Sequence, residues 1–320
     1  MADCTVLFTS HRPETLPLAE QAMAGASCVV LEEPDHPQFA DMLAGRVSDD
    51  DYLMAADYEF PAFARASLAL YRRLHARGAA LVQCDPYLDE LLAIHEFFTS
   101  GGTPGDVDPD SLRGLVYAAE RDWSAALLGF YAASGAEDFG EVVRSVQAFA
   151  RADAARGRLR DALRARAAAR LAEEYPDLTV EAGYIHAALP GALRRALPPD
   201  WALRLRWVLE PAARPLAGKR QVLGPGDVLT LLYTFRPGHR SPRADLLAAR
   251  ALVYIKILGK EEQEAAPGQY PHTRDEAACA ALVANLPYAD CAALYPRLRH
   301  LPKAHARALA EAYLRRGAGR

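Results

Sequence analysis

The strongest constraint on the fold of this 320-residue chain is a series of short apolar runs that end abruptly in polar residues. Four such runs begin near residues 5, 27, 79 and 178, and long stretches with apolar residues at helical spacing separate them. Strands that alternate with helices form parallel sheets, and strands covered on both faces are apolar throughout. We therefore predict an α/β fold with a mostly parallel sheet of at least four strands, flanked by helices, and a helical C-terminal extension.

A fifth strand is expected at residues 202–209, where Arg204 and Arg206 alternate with apolar side chains as is typical of an edge strand. The last third of the chain has the spacing of helices only. The Gly- and Pro-rich segment 218–226 is the predicted boundary between an α/β domain at residues 1–217, which carries the candidate site, and a helical extension at residues 218–320.

Composition narrows the classes of partner and location. Half of the residues are hydrophobic, which allows a sizeable core, and the net charge of -4 gives no reason to expect a nucleic acid partner. The sequence begins without a basic segment before an apolar run, and no uncharged apolar stretch approaches 18 residues, so we expect neither a leader peptide nor membrane association. The five cysteines form no CxxC pair and are expected to be buried thiols. A cytoplasmic protein with a small-molecule substrate or ligand is expected, and the oligomeric state stays open.

Polar side chains follow four of the predicted strands at the point where each strand ends. They are His11, Glu32 with Glu33, Asp85 and His186. The carboxyl ends of parallel strands share one edge, and ligands bind outside that edge, so we expect these side chains to converge. Histidines and carboxylates together can activate water or hold a divalent metal. If a metal is bound, its expected ligands are His11, Glu32, Glu33 and His186; the sequence does not otherwise identify a cofactor.

Glu32 and Glu33 are expected to point to opposite sides, because side chains alternate along an extended strand. We expect Glu33 to enter the cleft, because it lies nearer the carboxyl end and immediately precedes Pro34. The resulting prediction places the carboxylate of Glu32 or Glu33, with Glu33 favoured, within reach of the imidazoles of both His11 and His186.

Two arginines and one aspartate are the predicted substrate-binding residues. Arg12 is adjacent to His11, Arg160 lies on a helix with the spacing to lean over the strand ends, and Asp85 ends the third strand. The alternatives are that Asp85 only caps a helix and that Arg160 lies on a solvated face neutralised by acidic neighbours such as Asp153 and Asp161.

Three segments of the chain together resemble the Tiki/TraB/ChaN/erythromycin-esterase superfamily. The segments are LFTSHRPETL, VVLEEP and EAGYIH, and Gly183 to His186 match the late G-x-x-H motif of that group. Phe8 stands where the early motif has glycine. The resemblance covers residues 4–197.

This resemblance implies ester hydrolysis, metal-dependent peptide cleavage or haem binding. In esterase-like members a histidine activates water with the help of a glutamate, which implies His11 as the base, Glu33 as its partner, and His186 as a second base, electrophile or ligand. We expect a hydrolase of esterase or metal-dependent type that acts on a small substrate. The alternative is a non-catalytic protein that binds a small ligand or haem, and a third hypothesis is an interaction protein that works through its helical extension.

Overall fold

The computed structural model describes residues 2–55, 60–263, 265–266 and 268–317. Its centre is a five-stranded sheet in which every paired strand is parallel, so the predicted α/β fold is confirmed. The strands lie in the order β3-β2-β4-β1-β5, which places β5 at an edge as predicted. The strand bounds are β1 (Asp3–Thr9), β2 (Cys28–Leu31), β3 (Ala80–Gln83), β4 (Asp177–Gly183) and β5 (Ala202–Trp207).

Helices fill the connections and the C-terminal third. The helices that connect the strands or follow β3 are α1 (Leu16–Met23), α2 (Phe39–Leu43), α3 (Asp49–Ala55), α4 (Pro61–Ala76), α5 (Pro86–Thr99), α6 (Leu112–Ala133), α7 (Phe139–Leu171) and α8 (Leu189–Ala196). The helices after the sheet are α9 (Glu210–Ala217), α10 (Pro225–Phe235), α11 (Pro242–Ile257), α12 (Pro271–Ala284), α13 (Tyr288–Leu298) and α14 (Lys303–Gly317). Short 3-10 turns lie at Pro13–Thr15 and Pro104–Asp106.

Helices cover both faces of the sheet, which explains why its inner strands are apolar at nearly every position. On one face Leu7, Val29 and Leu31 pack with side chains of α1, α2, α3 and α4. On the other face Val30 and Val180 pack with the C-terminal half of α7 and with α8. Successive residues of one strand therefore enter different cores, as the pleat requires.

The strand order makes the carboxyl ends of β2 and β4 a topological switch point of the sheet. The chain leaves β2 for β3 on one side, and it leaves β4 for β5 on the other. The two connections use helices on opposite faces, as right-handed crossovers in opposite directions require. Ligands of open α/β sheets bind at such a switch point.

The chain divides into two compact units. The first comprises Met1–Ala118, Gly157–Glu210 and Glu262–Gln269 and contains the sheet. The second comprises Ala119–Arg156, Pro211–Glu261 and Tyr270–Arg320 and has its own helical core. The second unit thus takes in residues 119–156, which the sequence analysis assigned to the α/β domain.

Within the described ranges, no helix is both long enough and apolar enough to cross a membrane.

Two leucine substitutions in the first unit test how strongly the stability of the sheet depends on the helices that cover it. Leu74 of α4 is 1% exposed, whereas Leu92 of α5 is 50% exposed. We expect Leu74→Ala to lower the free energy of unfolding by about 2–5 kcal/mol, because it removes buried surface and leaves a cavity. Leu92→Ala should change it by less than about 1 kcal/mol. Urea unfolding followed by circular dichroism measures the stability of both variants. Equal losses would contradict the position of Leu74 in the core under the sheet.

Candidate functional site

The carboxylate of Glu32 lies buried at the carboxyl ends of β2 and β4. Its Oε2 accepts a hydrogen bond of 2.6 Å from the backbone N–H of Gly183, at the end of β4. Its Oε1 lies 2.8 Å from Nε2 of His186 and 3.0 Å from Nη2 of Arg160. The side chain is only 6% exposed, so these contacts replace almost all of its hydration.

Helix α7 supplies two arginines to this carboxylate and to Asp85. Arg160 donates from Nε to Oδ2 of Asp85 at 2.7 Å. Arg164, four residues later, lies 3.4 Å from Glu32 and 3.6 Å from Asp85, and its Nη2 donates to the carbonyl of Glu181 at 2.6 Å. Residues four apart share one face of a helix, so one turn of α7 delivers both guanidinium groups. Arg160 thus lies at the strand ends, whereas its predicted role in substrate binding stays a prediction.

Asp85 caps a helix, as the alternative interpretation expected, and it also forms an ion pair, whereas its predicted role in substrate binding stays a prediction. Its Oδ1 accepts from the N–H of Leu88 and caps α5, while its Oδ2 binds Arg160. The side chain is fully buried. Asp85 therefore joins the end of β3 to α7 as well as starting a helix.

Both ring nitrogens of His186 face carboxylates. Nδ1 lies 2.5 Å from Oδ1 of Asp161, and Nε2 lies 2.8 Å from Oε1 of Glu32. Burial disfavours the charged ring, but Glu32 and Asp161 outweigh this effect and raise the pKa of His186 to about 9. The ring is thus a cation at neutral pH that donates from both nitrogens, and it has no lone pair with which to act as a base.

The buried charges of this network balance. Glu32, Asp85 and Asp161 supply three negative charges, and Arg160, Arg164 and His186 supply three positive charges. Burial alone would raise the pKa of Glu32, yet the three surrounding cations hold it well below its usual range. Glu32 therefore stays ionised.

Glu33 lies on the opposite side of its strand and in a different environment. Its carboxylate accepts hydrogen bonds from Tyr71 Oη of α4 at 3.2 Å and from Gln83 Nε2 at 2.8 Å. Gln83 also donates to the hydroxyl of Tyr52. The expected alternation is correct, but the expectation that Glu33 pairs with His186 is wrong. The physical reason is that the helix with the arginines covers the face to which Glu32, not Glu33, points.

Glu181 is a second carboxyl group near Glu33. It is 8% exposed in the middle of an apolar strand and accepts a hydrogen bond from the hydroxyl of Thr9 at 3.3 Å. Burial, together with the charges of Glu33 and Glu32, raises the pKa of Glu181 to about 8. Burial also raises the pKa of Glu33, against the hydrogen bonds from Gln83 and Tyr71. Burial therefore shifts the pKa of Glu33 and of Glu181 upwards, in the direction opposite to the shift of Glu32.

The two predicted site residues after β1 lie beside aromatic rings. The exposed imidazole of His11 lies 5.3 Å from the ring of Phe63 in α4, and the guanidinium of Arg12 lies 5.0 Å from the ring of Phe60. Nη1 of Arg12 and Oγ of Ser10 are buried without a hydrogen-bond partner in the described part of the chain. His186 does not meet His11 through its ring nitrogens, because both of these face carboxylates.

The structure does not assemble the metal ligand set expected from the sequence. Over the residues that it describes, no group of three or more His, Cys, Asp or Glu side chains has an arrangement that could hold a metal ion. The atoms of Glu32 and His186 that could serve as ligands are engaged with each other, with arginines and with Asp161.

Sequence reasoning missed three members of the site, two of which left a signal. Arg164 follows Arg160 by one helical turn, so the face argument that selected Arg160 applies to it equally. Asp161 was named only as an acidic neighbour on the alternative solvated face, but it is 2% exposed. Glu181 interrupts an otherwise apolar strand, and a carboxyl in a doubly covered strand needs a partner or a proton.

Comparison with known proteins gives a relative without an assigned function. An uncharacterized protein of Archaeoglobus fulgidus is 29% identical over 296 residues, which cover 91% of this chain and 97% of that protein. No family model matches the sequence, and no solved structure matches it. The similarity to the archaeal protein runs through nearly the whole chain rather than through the site alone.

Removal of the Glu32 charge tests whether the network supports the fold. Glu32→Gln leaves three buried cations with two anions, so we expect a loss of about 3–5 kcal/mol in the free energy of unfolding. Glu20→Gln is the matched control, because Glu20 also binds two arginines, Arg73 and Arg77, but in a more exposed pair. The control should lose about 1 kcal/mol or less. Similar losses in urea unfolding would contradict the proposed importance of burial.

The protonated state of Glu181 predicts a pH dependence of stability. Its pKa is about 8 in the folded protein and about 4.5 when unfolded, so its contribution is complete below pH 4.5 and is lost as pH rises through 8. Glu181→Gln keeps the shape without the proton. Relative to wild type, this variant should gain on the order of 3 kcal/mol between pH 4.5 and pH 9. Urea unfolding at both pH values measures this, with Glu96→Gln at an exposed position as control; a constant difference would refute the assignment.

Proposed function

We propose that this protein is a hydrolase that activates water at the carboxyl edge of its sheet and acts on a small substrate with a polar or anionic group. The observation that carries the proposal is that the pKa values of two successive carboxyl groups are shifted in opposite directions. Cations lower the pKa of Glu32, whereas burial raises the pKa of Glu33. Such divergence is typical of sites that need one permanent charge and one mobile proton.

Glu33 is the proposed proton carrier. A carboxylate with a raised pKa is a stronger base than an ordinary glutamate, so it can take a proton from water as the water attacks the substrate. The same group can then return the proton to the leaving group. Gln83 and Tyr71 fix its orientation with two hydrogen bonds. Glu181 is the proposed proton reservoir beside it.

His11 is retained as a proposed second proton carrier. It contacts α4 through Phe63, and Glu33 contacts the same helix through Tyr71. The two contact residues are about 12 Å apart along the helix axis. We therefore expect His11 and Glu33 to approach the substrate from two ends rather than to bond directly. His186 is assigned the positioning of Glu32 and not the role of base.

Arg12 is the proposed binding group for a negative charge on the substrate. Its buried Nη1 lacks a hydrogen-bond acceptor among the described residues, and an unsatisfied buried donor costs free energy until an acceptor arrives. Stacking on Phe60 holds the guanidinium in place. This same observation supports the second candidate function, which is binding of a small anion without catalysis.

The proposed cytoplasmic location has independent support. All five cysteines carry free thiols, and four of them are buried. Free thiols persist in reducing compartments.

Substitution of Glu33 tests catalysis directly. Wild type and Glu33→Gln should be assayed with p-nitrophenyl acetate, p-nitrophenyl phosphate and leucine p-nitroanilide from pH 4 to 9. With a substrate that is turned over, the rate should rise with pH through the raised pKa of Glu33. The variant should lose that limb and about 100-fold or more in kcat, because general base catalysis contributes this much.

The control is Glu96→Gln, an exposed glutamate whose replacement should leave the rate unchanged. An unaltered pH profile in Glu33→Gln would refute the role of Glu33. Absence of turnover by wild type, together with saturable binding of one of the three compounds that Arg12→Gln weakens, would establish the second candidate function instead.

A further inference from the structure

A cleft of about 360 Å³ lies within the helical unit. Its walls come from α10, α11 and α12 and from the segment 216–223, which includes the end of α9. Most of its lining consists of alanine, valine and leucine side chains. The volume falls in the range of about 300–1,000 Å³ that is typical of small-ligand sites.

The charged side chains of this cleft are all of one sign. Lys219 and Arg250 line it, and no acidic side chain does among the described residues. Arg250 is held in place by a hydrogen bond of 2.8 Å from its Nε to the carbonyl of Leu286. An apolar cleft with two cations favours a ligand with an apolar body and a negative group.

Gln221 adds a specific polar requirement. It lines the same cleft, and its Oε1 is buried without a hydrogen-bond partner in the described part of the chain. A buried acceptor without a donor is costly, and it rejects a purely apolar occupant. The ligand that fits therefore also carries a hydroxyl or N–H group.

We propose that this cleft binds a medium-chain aliphatic hydroxy acid. The carboxylate interacts with Lys219 and Arg250, the alkyl chain covers the alanine and valine wall, and the hydroxyl donates to Gln221. This site is separate from the sheet edge, and it does not depend on the function proposed for that edge.

Calorimetric titration of the full chain with four matched compounds tests the proposal. The compounds are 3-hydroxydecanoate, decanoate, 1-decanol and decylamine, each kept below the concentration at which it forms micelles. Both acids should bind, and decylamine should not. The hydroxy acid should bind about 3–10-fold tighter than decanoate, because one hydrogen bond is added. Failure of both acids to bind, or equal binding of decylamine, would overturn the proposal.

Three variants locate the binding. Lys219→Gln should weaken the affinity for decanoate about fivefold, whereas Lys260→Gln, an exposed lysine outside the cleft, should leave it unchanged. Gln221→Leu should abolish the preference for the hydroxy acid. Ala277→Trp should block both acids by filling the cleft. Unaltered binding in Lys219→Gln and Gln221→Leu would refute this site even if the tryptophan variant does not fold.

Discussion

The ionised carboxylate of Glu32 is the group on which the arrangement of the sheet edge depends. It is almost fully buried, and a buried charge is tolerated only when partners replace the water that it has lost. Those partners come from two parts of the sequence that are distant from Glu32: the end of β4 with the turn that follows it, and helix α7. A single side chain therefore fixes the position of the helix relative to two strands. Such a contact is needed because of the strand order. The chain runs from β2 to β3 on one side of Glu32 and from β4 to β5 on the other, so neither connection joins the ends of β2 and β4.

The same interaction gives neighbouring carboxyl groups different chemistry. Three anions neutralise the three cations on the α7 side of the sheet, so this network has little net charge to stabilise a carboxylate on the other side. On that other side Glu33 and Glu181 accept hydrogen bonds from hydroxyl and amide groups rather than from cationic side chains. The sheet thus separates a layer of ion pairs, in which the pKa of Glu32 is lowered, from a layer in which burial raises the pKa of Glu33 and Glu181. This separation is why the proposed chemistry belongs to Glu33.

The fold was predictable from sequence because its signals are local. An apolar run such as Cys28–Leu31 needs cover on both faces, and the intervening helices supply it. The edge position of β5 followed from its alternating arginines. The alternation of Glu32 and Glu33 was equally local. Which helix covers each face of the sheet is not a local property, because it depends on the direction of each crossover and hence on the strand order. For that reason the sequence correctly separated the two glutamates and assigned the wrong one to His186.

The structure shows why Gly183 and His186 are three residues apart. The N–H of His186 donates to the carbonyl of Gly183 and closes a tight turn at the end of β4. That turn aims the N–H of Gly183 at Oε2 of Glu32 and Nε2 of His186 at Oε1 of the same carboxylate. The segment from Gly183 to His186 therefore contacts both carboxylate oxygens of a glutamate that follows another strand. Asp161 holds the opposite ring nitrogen, which keeps the ring protonated and both of its donors in use. A histidine held in this way is a fixed cation, and we therefore assign the proposed proton chemistry to the carboxyl groups on the other side of the sheet.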